Sequence, residues 1–189
     1  MANRLTRITT RGGDQGQSGL ADGSRHSKTE PVFAALGDID ELNCALGIVV
    51  THLGSDHLLR ATLIALQSRL FDLGGAVAMP GTILSLADEV AALEAQVTQY
   101  SAQLGPLANF IVPGGTIAGS QMHLARAVSR RAERSLWSLI EQRPDVYDSS
   151  LAVFLNRLSD ALFVFARVLN LSCPEPLWQQ KGRDAFEGD

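Results

Sequence analysis

The stretch that decides the fold runs from residue 117 to residue 141 and reads IAGSQMHLARAVSRRAERSLWSLIE. Its apolar residues recur three or four positions apart, the spacing of one face of an α-helix: Ala125, Val128, Ala132, Leu136 and Leu139. Pro144 stops the pattern, because proline cannot continue a helix. The stretch therefore predicts a long amphipathic helix that buries one face in a core.

A row of arginines occupies a different face of this helix. Arg126, Arg130 and Arg134 recur at intervals of four residues, with Arg131 and Glu133 beside them. Like charges at this spacing cost a few tenths of a kcal/mol on an exposed helix. Two interpretations stay open: a solvated or salt-bridged surface, or a row that faces an oligophosphate or an acidic neighbouring helix, since arginine binds phosphate and carboxylate with two hydrogen bonds.

Four other segments share the helical periodicity. They predict a first helix over about 33–54, a second over about 58–77, a third from an N-cap at Ser85 to about residue 100, and a fifth over about 146–171. Most connections between them are short, and no stretch shows convincing two-residue alternation. The prediction is an all-α protein, a five-helix antiparallel up-and-down bundle.

The chain is expected to form a single domain over 1–189, with a long loop at 1–30, the bundle at 31–172 and a C-terminal tail at 173–189. Within the loop, residues 10–19 read TRGGDQGQSG. Their glycines allow tight turns that present backbone N–H groups, and such nests suit phosphate oxygens. The segment is not a P-loop, because GxxxxGK[ST] is absent. A flexible arm, with Lys28 as an ordinary surface lysine, is the alternative.

Composition excludes several classes of protein. The net charge of −4 and a pI near 5.5 argue against bulk binding to nucleic acid or to an anionic membrane. The charge is uneven, since residues 1–30 sum to +2 and residues 126–134 to +3, so that the remainder sums to −9. Two isolated cysteines and the lack of a leader or of ~20 consecutive apolar residues predict a cytoplasmic protein without disulfides or a thiolate zinc site.

Familiar catalytic constellations are missing from the sequence. There is no Glu-x-x-His pair for a di-iron centre and no nucleophile elbow. Asp38, Asp40 and Glu41 are interpreted as residues that begin the first helix, where the macrodipole favours negative charge. Asp40 has an alternative role as a partner of a helix-four arginine, within or between subunits. Asn156 falls on a face of the fifth helix other than its apolar side, and a buried amide there would need a partner.

Four blocks in order resemble the PduO-type ATP:cob(I)alamin adenosyltransferases over most of the chain. Residues 10–20 are similar to the family's TxTGDxGxT/S-type nucleotide loop, and residues 37–43, GDIDELN, to its G-x-x-DELN segment. FIVPGG at 110–115, followed by HLARAVSRRAER at 123–134, resembles the central signature. FLNRLSDALFVFAR at 154–167 is the last block.

The resemblance implies a homotrimer that binds ATP and cob(I)alamin at each subunit interface and transfers the adenosyl group to cobalt, with Mg²⁺ held mainly by the ATP phosphates. It implies a nucleotide site formed by Thr10, Arg11, Gly12, Gly13, Ser18, Gly19, Lys28, Arg130, Arg131, Glu133, Arg134 and Asn156. Lys28 and Arg130 would neutralise the triphosphate, and Arg126 would pair with Asp40 across the interface. Phe110, which spacing alone assigns to the core, would contact the corrinoid and displace its lower ligand.

The same resemblance sets further expectations. A cobalamin reductase and an adenosylcobalamin-dependent enzyme are the expected protein partners. Gly12 stands where the family usually has Thr or Asn, and Val32 where it often has Arg, so both positions bear on ATP affinity. The C-terminal tail has two possible states, ordered over the corrinoid or disordered. A trimeric ATP- or corrinoid-binding module without catalysis is the alternative function.

Overall fold

The computed structural model describes residues 9–179, which form five helices and a short hairpin. The elements are β1 (Gln17–Gly19), β2 (Arg25–Ser27), α1 (Pro31–Thr51), α2 (Arg60–Ala78), α3 (Ala87–Ser101), α4 (Ile117–Gln142) and α5 (Ser150–Leu169). The predicted all-α five-helix bundle is confirmed. None of the helices in this part of the chain is long and apolar enough to cross a membrane.

Helix α4 lies at the centre of the bundle. It packs against α1 on one side and α5 on the other, while α2 covers α1 and α3 covers α5. Directions alternate along the chain, so α3 runs parallel to α5: Arg157 Nε lies 2.8 Å from a carboxylate oxygen of Glu94, and the rings of Tyr100 and Phe165 meet edge to face. Both faces of α4 that carry apolar residues are therefore used for packing, which leaves its arginines at the margin of the bundle.

The predicted N-terminal loop contains a β-hairpin that the sequence did not reveal. β1 and β2 pair antiparallel, with Ser18 opposite His26. Each strand has only three residues, too few for two-residue alternation to be recognised. The backbone N–H of Ala21, in the turn, donates to the carbonyl of Ala78 at the end of α2 over 2.8 Å. The hairpin is thus fixed to the bundle.

The start of α1 corrects one interpretation. The helix begins at Pro31, whose fixed φ suits the first turn, and its first turn holds no acidic residue. Asp38, Asp40 and Glu41 lie in its middle, beyond the reach of the N-terminal dipole. Their assignment as helix-start residues was therefore wrong.

Two other boundaries differ from the prediction. Leu86, not Ser85, is the N-cap of α3. Its apolar side chain cannot make a capping hydrogen bond, and it is buried in the core, where it fixes the position at which the chain enters the helix. Helix α5 begins at Ser150, four residues later than expected. The preceding turn is held by Tyr147, whose buried hydroxyl donates to the carbonyl of Val77 over 3.2 Å.

The Pro-Gly-Gly turn before α4 is locked to the end of α5. Asn170 accepts from the backbone N–H of Thr116 over 2.9 Å and donates to the carbonyl of Gly114 over 2.8 Å. A Cβ at Gly115 or Gly119 would collide with the Asn170 side chain. These glycines are required by a close approach, and they fix where residues 110–113 leave the bundle.

Candidate functional site

The glycine-rich loop folds back on β2. Arg25 Nη2 donates to the carbonyl of Gly12 over 2.6 Å, and the N–H of Lys28 donates to that of Gly16 over 2.8 Å. The Lys28 ammonium lies so close to Gly13 that a Cβ there would be 2.9 Å from Nζ. The structure therefore brings the loop and Lys28 together, and a side chain at position 13 would displace the Lys28 ammonium from the loop.

The loop presents most of its expected site residues to solvent. Thr10, Arg11, Gly12 and Gly19 are exposed, whereas Gly13 and Ser18 are half-buried. The N–H of Gly12 faces the Thr10 hydroxyl at 3.4 Å. A Cβ at Gly12 would make only ordinary contacts, so the departure from Thr or Asn there is not imposed by lack of space.

Val32 is the second position at which this chain departs from the family pattern. Its side chain is 4% exposed and belongs to the core of the bundle. The residue at this position therefore packs inward, and in this chain it contributes no charge to the loop.

The arginine row on α4 is poorly neutralised within the subunit. The Nε of Arg126 is buried without a hydrogen-bond partner, and burial, followed by the charge of Arg130, lowers the pKa of Arg126. Arg130 is half-exposed, with a loose contact of 3.9 Å to Glu133. Arg134 donates to the carbonyl of Arg130 over 3.1 Å. Most of the positive charge of the row is therefore not neutralised within the subunit.

Arg131 has a different environment. Its Nε lies 3.0 Å from Asp38 Oδ1, and its Nη2 contacts the carboxylate of Glu41 closely. Ser135 donates to the other Asp38 oxygen over 2.5 Å. The hydrogen bond and charge of Arg131 hold the pKa of Glu41 below its ordinary value, and those carboxylates raise the pKa of Arg131. Arg131 is therefore engaged with α1 of its own subunit.

Asp40 does not meet Arg126 inside the subunit. It is exposed on α1, and within residues 9–179 the structure gives it no ion pair. The same part of the chain shows no hydrogen bond or ion pair between the loop, residues 10–19 with Lys28, and the arginine row. The two positive regions are separate in one subunit.

Two of the expected site residues are exposed, and for Phe110 the assignment to the core from spacing alone was wrong. Phe110 is 78% exposed rather than in the core, because the turn locked by Asn170 directs residues 110–113 away from the bundle. Asn156 is exposed on α5, since its position falls on the helix face that no neighbouring helix covers. Both are accessible to a ligand.

Phe110 belongs to an apolar wall. Phe110, Ile111, Val112, Pro113 and Trp178 line an open cavity of about 530 Å³. Two backbone hydrogen bonds join residues 110–112 to residues 176–178. The N–H of Val112 donates to the carbonyl of Pro176 over 2.8 Å, and the N–H of Trp178 donates to the carbonyl of Phe110 over 2.7 Å.

Sequence reasoning missed the ion pair that anchors this wall. Arg167, in the last turn of α5, lies 3.1–3.2 Å from the Glu175 carboxylate and donates to the carbonyl of Gly105 over 2.9 Å. A lone Arg in a helix's last turn and a Glu between two prolines were the available signals. The C-terminal tail, for which two states were open, continues into residues 180–189, which lie outside the described residues.

Within residues 9–179, no group of three or more His, Cys, Asp or Glu side chains could hold a metal ion.

Comparisons with known proteins agree with these features. Residues 8–169 match the family model described as cobalamin adenosyltransferase. A "Cobalamin adenosyltransferase" of Cupriavidus metallidurans is 44% identical over 96% of this chain and 98% of its own length. The human "Corrinoid adenosyltransferase MMAB" is 38% identical over 87% of this chain and 69% of its own.

Solved structures give the same result. A variant PduO-type ATP:corrinoid adenosyltransferase from Lactobacillus reuteri, complexed with cobalamin and ATP, aligns with a TM-score of 0.87 at 31% identity, over 92% of this chain and all of that one. A second variant of that protein, complexed with ATP, gives a TM-score of 0.85 at 32% identity, over 91% of this chain and all of its own.

Proposed function

The chain belongs to the cobalamin adenosyltransferase family and is a corrinoid adenosyltransferase, and we propose that it transfers the adenosyl group of ATP to the cobalt of cob(I)alamin in a site shared by neighbouring subunits of a homotrimer. The observation that carries the shared site is Arg126. Its buried Nε has no partner within the subunit, and an unpaired desolvated charge is costly. Asp40 of a neighbouring subunit supplies the missing carboxylate.

In this arrangement the triphosphate lies between the two positive regions. Thr10 to Gly13, Ser18, Gly19 and Lys28 of one subunit wrap it. Arg130, Glu133, Arg134 and Asn156 of the neighbour complete the nucleotide site. Arg131 acts from behind, because its pairing with Asp38 and Glu41 fixes α4 against α1. Each subunit thus supplies half of a site.

The reaction needs no protein nucleophile. The electron pair on cobalt(I) attacks C5′ of ATP and forms the cobalt–carbon bond. The bond from C5′ to the triphosphate oxygen breaks, and triphosphate leaves with the electron pair of that broken bond. Lys28, Arg130 and backbone N–H groups stabilise the charge that accumulates on the leaving group. The protein also holds the two reactants in line. Mg²⁺ bound to the phosphates supplies further neutralisation.

The apolar wall is the proposed corrinoid site. Phe110 projects from it with its ring largely uncovered, so it can press against a flat macrocycle. An apolar surface there excludes a lower axial ligand and keeps cobalt four-coordinate, which makes its reduction easier. The corrinoid supplies the chemistry and the chain supplies its environment.

We propose that the enzyme works in the cytoplasm as one domain, receives its electron through a cobalamin reductase and passes adenosylcobalamin to an enzyme that depends on it. A binding module without transfer is the competing function. The relatives named as adenosyltransferases favour transfer.

The proposed site is tested with ATP, Mg²⁺ and chemically reduced cobalamin, by following the absorbance change as adenosylcobalamin forms. We expect Lys28→Ala to raise KM for ATP by about tenfold or more, because a charge-assisted contact is lost. Arg69→Ala is the matched control, since Arg69 pairs with Asp72 and Glu89 on α2 and α3. An unchanged KM in Lys28→Ala would contradict the assignment, and a folded trimer without product would support the binding module.

A further inference from the structure

A chain of four polar side chains ties the hairpin to α1. Ser24 Oγ lies 2.5 Å from Asp22 Oδ1 and 2.8 Å from His26 Nε2. His26 Nδ1 in turn lies 3.1 Å from Glu30 Oε2. No motif of the family resemblance includes these contacts, and the proposed reaction does not use them.

A count of the available protons shows which protonation state of His26 makes every one of these contacts a hydrogen bond. Two carboxylates end the chain and can only accept, and Ser24 has one hydroxyl proton. If that proton serves Asp22, His26 must donate from Nε2 to Ser24 and from Nδ1 to Glu30, which only the imidazolium can do. A neutral ring leaves one contact without a proton. Consistently, the side-chain hydrogen bond from Ser24 lowers the pKa of Asp22, so this carboxyl is an acceptor.

The chain fixes the strand that carries Lys28. The second Glu30 oxygen accepts from the N–H of Ser27 over 3.1 Å, so Glu30 grips both the ring of His26 and the end of β2. Glu30 is itself the N-cap of α1. Lys28 follows the last residue of β2 directly in the chain, and its ammonium lies against Gly13. The orientation of β2, and with it the spacing of Lys28 from the loop, depends on these bonds.

We propose that His26, through its contacts with Ser24 and Glu30, is a positioning residue that sets Lys28 and the loop of residues 10–16 in their ATP-binding arrangement. The inference rests on the proposed triphosphate site and adds a residue to it. His26 touches no substrate. It acts through Glu30 and β2, and its loss loosens the geometry of the loop rather than removing a contact to ATP.

The charged groups around His26 are few. Asp22 faces it from the hairpin turn and Glu30 from the start of α1, while Arg143 and Tyr147, from the end of α4 and the turn beyond it, line the same cavity of about 360 Å³. Loss of the imidazolium proton therefore leaves two carboxylates near a ring with only one donor.

The first test needs no ATP. Backbone amide resonances of the ligand-free full-length chain are compared by NMR between the wild type, His26→Gln, Ser24→Ala and the control His52→Gln. We expect the amide signals of Gly13 and Lys28 to shift in His26→Gln and Ser24→Ala and to stay in place in His52→Gln. Amide signals of Gly13 and Lys28 that do not move in His26→Gln would overturn the proposal, whatever the outcome for ATP.

The second test is kinetic. We expect His26→Gln and Ser24→Ala each to raise KM for ATP by about fivefold, the fraction of a charge-assisted bond passed on to the loop, with kcat changed by less than about twofold. The double variant is no worse than the poorer single, since both break one chain. His52→Gln, at the exposed C-cap of α1, is the control. Unchanged KM or additive effects would overturn the role, whereas an unchanged KM in Lys28→Ala overturns only the triphosphate site.

Discussion

Two neighbouring arginines on α4 have opposite surroundings. Arg131 is held by Asp38 and Glu41 of the same subunit, whereas Arg130 has one loose contact to Glu133. One turn earlier, Arg126 buries its Nε without any partner. A fold that neutralises one guanidinium with two carboxylates does not lack acids to neutralise the next. This difference supports the proposal that the row of Arg126, Arg130 and Arg134 meets negative charges that come from outside the subunit.

The largest effect is expected from the removal of Arg130. If its charge stabilises the departing triphosphate, Arg130→Ala lowers kcat by about 10²-fold. The rate of adenosylcobalamin formation at saturating ATP and cobalamin measures this. A wild-type rate would reject the role, and Arg69→Ala controls for the general loss of a surface arginine.

Phe110 extends the comparison from charge to apolar surface, because Phe154 and Phe165 are fully buried while Phe110 is not. Phe110→Ala is expected to lower kcat/KM for cobalamin by about 30-fold, typical of losing a central aromatic contact. KM for ATP should stay near its wild-type value. Equal changes in both KM values would show that Phe110 supports the fold instead.

Asp40→Asn tests the partner assigned to Arg126. The variant leaves Arg126 unpaired in the assembly, and we expect subunit association to weaken by about tenfold or more. Sedimentation velocity over a dilution series measures the shift from trimer to monomer. If the trimer and its activity persist at every concentration, the pairing plays no part.

The smallest effect is expected at Arg131. Arg131→Gln should lower the urea midpoint slightly and leave KM for ATP within about twofold, since exposed ion pairs contribute little. The pKa of Glu41 lies below its ordinary 4.5 in the folded state. Its contribution is therefore complete above that value and is lost as the pH falls through the folded pKa. The wild type and the variant should converge in acid, and a difference that persists there would contradict the pairing.

Much of the fold was predictable because α4 needs only periodicity. The sequence predicts residues 117–141 and the helix ends at Gln142. The start of helix α5 was predicted four residues too early, because the hydroxyl of Tyr147 donates to a carbonyl of α2, a contact that no local sequence pattern contains. The hairpin was missed because three-residue strands leave no period to detect.

The site shows the same limit. Spacing identified the arginine row, yet it could not tell Arg130 from Arg131, because that depends on where Asp38 falls when α1 packs against α4. Exposure of Phe110 depends on Asn170, sixty residues away. Local sequence thus predicts which residues carry the chemistry, and packing decides which of them are free to act.

Mixing two impaired variants tests the shared site, with the assay run at an ATP concentration below the wild-type KM so that Lys28→Ala and Arg130→Ala are both slow. Lys28→Ala subunits keep the arginine row, and Arg130→Ala subunits keep the loop. After dissociation and reassembly together, mixed trimers contain interfaces in which both halves are intact, and we predict that the mixture forms adenosylcobalamin faster than either variant alone. If mixed trimers form and the mixture is no faster than the separate variants, the loop and the arginine act within one subunit, which contradicts a shared site.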